Sequence, residues 1–159
     1  MINETYKTHK TYNKSKLEYR KFRVRGHIRS FRDLEIYKQT TQLASAIYDL
    51  TLPANLKNKK LLEKELELLR HLSKQVPRLI AEAWGDRFTN RSLAYEKLEE
   101  AMQFISRTIT KMDFLLTNVD SQELKQIFVK LIRQYQFQRR KILNLKNAWV
   151  RIEEKLSKT

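Results

Sequence analysis

Cysteine is absent from this chain of 159 residues, which excludes a disulfide framework, a thiolate metal site and a cysteine nucleophile. Glycine and proline are nearly absent as well, with Gly26, Gly85, Pro53 and Pro77 the full set. Hairpins and tight turns depend on those two residue types, so the composition disfavours strands and points to long helices. Two isolated glycines cannot build a phosphate-cradling loop or a dinucleotide fingerprint, each of which needs several at fixed spacing. Long apolar runs are also missing. No window approaches the ~18 uncharged residues of a membrane span, and the opening MINETYKTHKTYNKSK has no signal-peptide core. A cytoplasmic protein without a membrane partner is the expectation.

Charge is abundant and one-sided. The formal net charge is +15, a field that attracts polyanions, nucleic acid first and an anionic membrane surface second. Residues 1–30 hold much of it: Lys7, Lys10, Lys14, Lys16, Arg20, Lys21, Arg23, Arg25 and Arg29 stand against only Glu4 and Glu18. Ser15-Lys16-Leu17-Glu18 has capping-box spacing, so one short helix from Lys16 to Phe22 fits there. The segment reads as a basic arm, flexible or ordered on RNA binding. Within it Tyr19 and Phe22 alternate with cations. Cations contact phosphates while aromatic rings stack on unpaired bases, which suits RNA.

From Ser30 onward the apolar spacing becomes helical. Ser30 is the expected N-cap of a first helix that runs through Leu34, Ile36, Leu43 and Ile47 and stops at Leu52-Pro53. A second run places Leu62, Leu66, Leu69, Val76, Ile80 and Ala83 at three- and four-residue steps, with Pro77 as a kink and Gly85 as the stop. A third extends from near Asn90 to Asn118. Asp120 or Ser121 caps a fourth, whose seam runs from Leu124 through Phe128, Leu131, Tyr135, Gln138, Ile142, Leu145, Trp149 and Ile152 to Leu156. Only Gln138 breaks that seam, and the helix is long enough to overhang its neighbours or meet another subunit. The expected fold is all-α: an antiparallel up-down-up-down four-helix bundle over residues 31–157, preceded by the basic N-terminal arm.

Three stretches together carry a resemblance: Phe31-Arg32-Asp33-Leu34-Glu35-Ile36-Tyr37, Val76-Pro77-Arg78-Leu79-Ile80-Ala81-Glu82-Ala83-Trp84-Gly85, and the Trp149 region. Over roughly residues 31–152 the chain resembles the four-helix-bundle family encoded in intervening sequences of bacterial large-subunit ribosomal RNA genes. That family is similar to the accessory variability determinant of diversity-generating retroelements. Ala83 stands where the family has a glycine. The resemblance implies a basic homopentameric ring that binds nucleic acid and partners a reverse transcriptase. It also leaves open a ribosomal intervening-sequence protein that acts as a protein-interaction scaffold.

No catalytic residue is expected. Glu82 and Asp86 share a helix face, but pairing of Glu82 with Arg78, or with a neighbouring helix, explains the acid without chemistry. His9, His27 and His71 are scattered, so neither a metal nor another cofactor is expected. Pro77, Glu82 and Gly85 therefore read as a structural signature. On the fourth helix Lys130, Arg133, Arg139, Arg140, Lys141, Lys146 and Arg151 lie in a stretch with no acid at all. An ordinary solubilising face mixes signs, so these join the arm as candidate nucleic-acid contacts. Deleting residues 1–30 is expected to lower RNA affinity while leaving the number of subunits per particle unchanged, measured by light scattering; loss of protein binding with RNA affinity intact would favour the scaffold.

Overall fold

The computed structural model describes residues 30–158, so the expectations placed on residues 1–29, including the short helix behind Ser15 and the arm contacts, lie outside the described residues. A single 3-10 turn, Phe31–Asp33, precedes four helices: α1 Glu35–Tyr48, α2 Lys59–Asp86, α3 Arg91–Asn118 and α4 Gln122–Ser157. No strand occurs among the described residues. The four helices form a bundle around one apolar core.

Helix α1 starts later than the capping signal indicates. Ser30 does cap, its hydroxyl accepting from the Arg32 amide at 3.2 Å while its own amide donates to the Asp33 carboxylate at 3.3 Å. That box closes over the 3-10 turn only, because Leu34 then takes extended backbone (φ −67°, ψ 124°). The extension sets Leu34 into the core, and burying such a side chain contributes about 1.5–3 kcal/mol, more than one further turn of helix would. Phe31 meets Tyr37 edge to face at 4.9 Å across the break. At the other end α1 stops at Tyr48, short of the expected Leu52-Pro53. Leu50 turns inward and its carbonyl accepts from Arg70 Nη2 at 2.7 Å, so the chain leaves the helix to bury one more leucine. Asn58 enters α2 in the left-handed conformation (φ 59°), which asparagine tolerates.

Helix α2 passes through Pro77, which is itself buried. The missing amide leaves the Ser73 carbonyl without its helical donor, and the Ser73 hydroxyl turns to the Arg70 carbonyl at 2.9 Å. Gly85 does not stop the helix. It sits inside α2, which ends at Asp86, and a Cβ added there would touch nothing within 4 Å. The turn is made instead by the Asp86 carbonyl, which accepts from the amides of Thr89 (3.1 Å) and Asn90 (2.8 Å). Asn90 then caps α3 through the Leu93 amide at 3.1 Å.

The most extensive pairing is α2 with α3, where the fully buried Ala83, Ala94 and Ala101 let the helices approach closely. The seam of α4 is buried from Leu124 to Ile142, partly buried at Leu145 and Trp149, and open at Ile152 and Leu156, which are 56% and 57% exposed. The last two turns thus project past the core, as the length of this helix leads one to expect, since α2 is already finished at that level. Trp84 and Trp149 face each other at 6.4 Å and close the end of the core. Because Gly85 is helical with open space around it, Gly85→Ala is expected to stabilise the fold by about 0.5–1 kcal/mol in denaturant unfolding; destabilisation would mean the glycine serves a conformation other than helix.

Candidate nucleic-acid interface

Helix α4 runs 36 residues, roughly 54 Å, and Ser121 caps it through the Leu124 amide at 3.3 Å. Its rotation is set by the buried stripe Phe128, Leu131, Tyr135, Gln138 and Ile142. At about 100° per residue, that stripe sends Arg133, Arg140 and Arg151 to the opposite side. Lys130 and Arg139 fall on its two shoulders. All five are exposed, and none forms an ion pair with another described residue. No acid occurs between Glu123 and Glu153.

Two of the expected contacts are engaged inside the chain. Lys141 reaches α1, with its ammonium 3.3 Å from Glu35 and 3.0 Å from the Gln39 side-chain oxygen. Lys146 reaches α3 and pairs with Glu99. Both are only partly exposed, and each ties α4 to a neighbour. The outward group is thus Lys130, Arg133, Arg139, Arg140 and Arg151. Lys14, Lys16, Tyr19, Arg20, Lys21, Phe22, Arg23, Arg25 and Arg29 lie outside the described residues.

Sequence reasoning missed Phe137. It is 55% exposed in the middle of this basic surface, with the Lys141 ammonium 4.7 Å from its ring centre. The signal was available: Phe137 falls off the stripe that claims Tyr135 and Gln138, so the same spacing that buries its neighbours leaves its ring outside. Beside it a groove of about 560 Å³ separates α1 from α4, with Gln39, Gln42, Ile127, Lys130, Gln134 and Gln138 among its lining. Gln138 is 4% exposed and donates through Nε2 to Gln39, yet its carbonyl has no hydrogen-bond partner. Leaving such a group buried and unpaired costs about 1–3 kcal/mol. Thr40 and Thr108 satisfy themselves, returning their hydroxyls to carbonyls one turn back, whereas the hydroxyl of the fully buried Tyr135 has no hydrogen-bond partner.

The carboxylates singled out on α2 are held in ion pairs. Arg78 donates to Glu82 at 2.7 Å, and Lys97 of α3 stands 2.6 Å from Asp86 and 3.6 Å from Glu82. The hydrogen bond to Asp86 leads in raising the Lys97 pKa, so this ammonium stays charged and clamps α2 to α3. None of these residues lines the groove between α1 and α4. Among the described residues, no group of three or more histidines and acids is placed to hold a metal ion. No helix among them is long and apolar enough to cross a membrane. Comparison with known proteins finds no family model, no curated protein and no solved structure that matches the chain.

The far end of α4 is fixed by Glu153, which accepts from the Tyr95 hydroxyl and lies 3.7 Å from Arg91. Burial first, then the Glu153 hydrogen bond and charge, push the Tyr95 phenol up to about 12. A folded-state pKa above the ordinary value of 10.0 means the protonated phenol stabilises the fold fully below about pH 10, a contribution lost as pH rises toward 12. Tyr95→Phe is expected to flatten that alkaline loss in unfolding measured from pH 8 to 12, and an unchanged slope would show that the Glu153 contact does not hold in solution.

Proposed function

We propose that the chain is a non-catalytic RNA-binding accessory protein: an up-down-up-down four-helix bundle with a basic N-terminal arm, assembled as a homo-oligomer. The single observation that carries this reading is the acid-free outer side of α4. There Lys130, Arg133, Arg139, Arg140 and Arg151 stand exposed with no counter-charge among the described residues. Cations that repel one another along one helix weaken the fold slightly, and a polyanion relieves that repulsion while releasing its counterions. Such contacts give affinity with little sequence readout.

The up-down order is supported by the cross-helix pairs. Lys111, late in α3, meets Glu65, early in α2, whereas Lys97, early in α3, meets Glu82 and Asp86, late in α2. Lys146 and Glu153, late in α4, meet Glu99 and Arg91, early in α3. The partnership with a reverse transcriptase and the pentameric count rest on the resemblance carried by residues 31–37, 76–85 and the Trp149 region. A gene for a reverse transcriptase beside this one, with template and variable repeats, would support that role.

A scaffold reading is favoured by one other feature, a groove of about 700 Å³ between α2 and α3 where Leu68, Leu72 and Phe114 are framed by Arg107 and Lys111. An exposed apolar cleft with a polar frame suits a protein partner. The two readings separate on charge. Arg133→Gln, Arg139→Gln and Arg140→Gln together are expected to lower RNA affinity on the order of 10-fold at moderate salt. They should reduce the slope of log affinity against log salt by about 2, at unchanged Tm. Salt-independent RNA binding by the parent chain, or none, overturns the RNA reading, and a monomeric mass with and without RNA overturns the oligomer.

A further inference from the structure

Two apolar features on the surface of the bundle differ in shape and lie at different levels along it. The last turns of α4 project past the core, and there Ile152 and Leu156 carry the seam into solvent, 56% and 57% exposed. This is a ridge. The groove of about 700 Å³ is its counterpart, walled by Leu68 and Leu72 on α2 and by Thr110 and Phe114 on α3. Leu68 and Phe114 are 50% and 41% exposed.

The two cannot meet within one chain. Glu153, between the two ridge residues, is held by Tyr95 and Arg91 at the start of α3, whereas Lys111 in the groove lies late in α3 and pairs with Glu65. Arg91 and Lys111 are separated by roughly 30 Å of helix. The groove of a chain is therefore out of reach of its own overhang.

Spacing and charge fit one to the other. Ile152 and Leu156 stand one helical turn apart, about 6 Å, as do Leu68 and Leu72 on one wall and Thr110 and Phe114 on the other. Side chains at that interval form the rows that interlock when helices pack. At about 100° per residue, Glu153 falls on one shoulder of the ridge and Lys155 on the other. The groove is edged by the same two signs: Arg107 on the α3 wall is exposed and has no ion pair with another described residue, and Glu65 stands on the α2 wall. An overhang laid with Glu153 toward Arg107 brings Lys155 toward Glu65. Each of these acids already holds one cation, and a carboxylate accepts more than one donor. A nucleic acid in the same groove would meet apolar walls and a carboxylate.

We propose that the α4 overhang of one copy seats Ile152 and Leu156 in the α2–α3 groove of a second copy, and that this head-to-tail contact builds the homo-oligomer. The proposal rests on the oligomeric reading and names its interface. Because the two surfaces differ, the contact repeats from copy to copy, closing a ring or extending a filament instead of ending at a symmetric pair. Arg133, Arg139 and Arg140 take no part in it and stay open to a polyanion.

The test measures particle mass by light scattering on the full chain and on two variants, one carrying Ile152→Asp with Leu156→Asp, the other Leu68→Asp. Each variant alone is expected to be monomeric at a concentration where the parent is assembled, with Tm unchanged because the altered side chains are half exposed or more. Mixed in equal amounts, the two should form a particle of two subunits and no larger, since only the overhang of the second and the groove of the first remain intact. That pairing also shows that both variants are folded. A mixture that stays monomeric, or either variant assembling as the parent does, overturns the head-to-tail contact while an oligomeric parent leaves the oligomeric reading standing. A monomeric parent overturns both.

Discussion

The rotational setting of α4 about its own axis is the constraint on which the other features depend. Phe128 and Ile142 are fully buried, each contributing about 1.5–3 kcal/mol, whereas the ion pairs that flank them are surface or half-buried contacts worth less than about 1 kcal/mol each. Apolar burial therefore decides which side of the helix faces in. Once it does, Arg133 and Arg140 have nowhere to point except outward, and Lys141 and Lys146 fall on the two edges where α1 and α3 supply Glu35 and Glu99. The charges do not orient the helix. They occupy the positions the core leaves them.

The same hierarchy explains where the chain departs from its own capping and stop signals. A capping box at Ser30, a helical run toward Leu52 and a glycine at position 85 each describe a local preference of roughly 1 kcal/mol. Leu34 and Leu50 override the first two by leaving helical backbone to reach the core, and Gly85 is carried along because α2 and α3 remain packed up to Trp84 and Ala83. Helix α1 is short, at 14 residues against 28 for α2 and α3, for this reason. Its two ends are diverted into the interior.

Apart from the buried, unpartnered hydroxyl of Tyr135, polar groups inside the bundle fall into two kinds. Thr40, Ser73 and Thr108 close on carbonyls of their own helices and ask nothing of the rest of the molecule. Gln138 is different because its hydrogen bonds run between helices, through Gln39 to Glu35 and Lys141. A network that links α1 to α4 by side-chain amides fixes their register, and it does so with one acceptor left over. The single interruption in an otherwise apolar seam thus becomes the most specific polar feature of the interior.

Four helices, their approximate extents, the core stripe of α4 and its lack of acids were all legible in the sequence, since periodicity and composition are properties of the chain alone. So was the pairing of Arg78 with Glu82, because four residues along a helix is a fixed distance. Which cations remain outward was not legible: Lys141 and Lys146 look like Arg139 and Arg140 until neighbouring helices bring acids to them. Nor was the place of Gln138 and Phe137, which line a groove between α1 and α4. The sequence by itself determined the periodic faces and the sign of the charge. Only the tertiary structure decided which charges and which amide stay without partners, because satisfaction of a polar group depends on residues distant in the chain, and spacing along one helix carries no information about them.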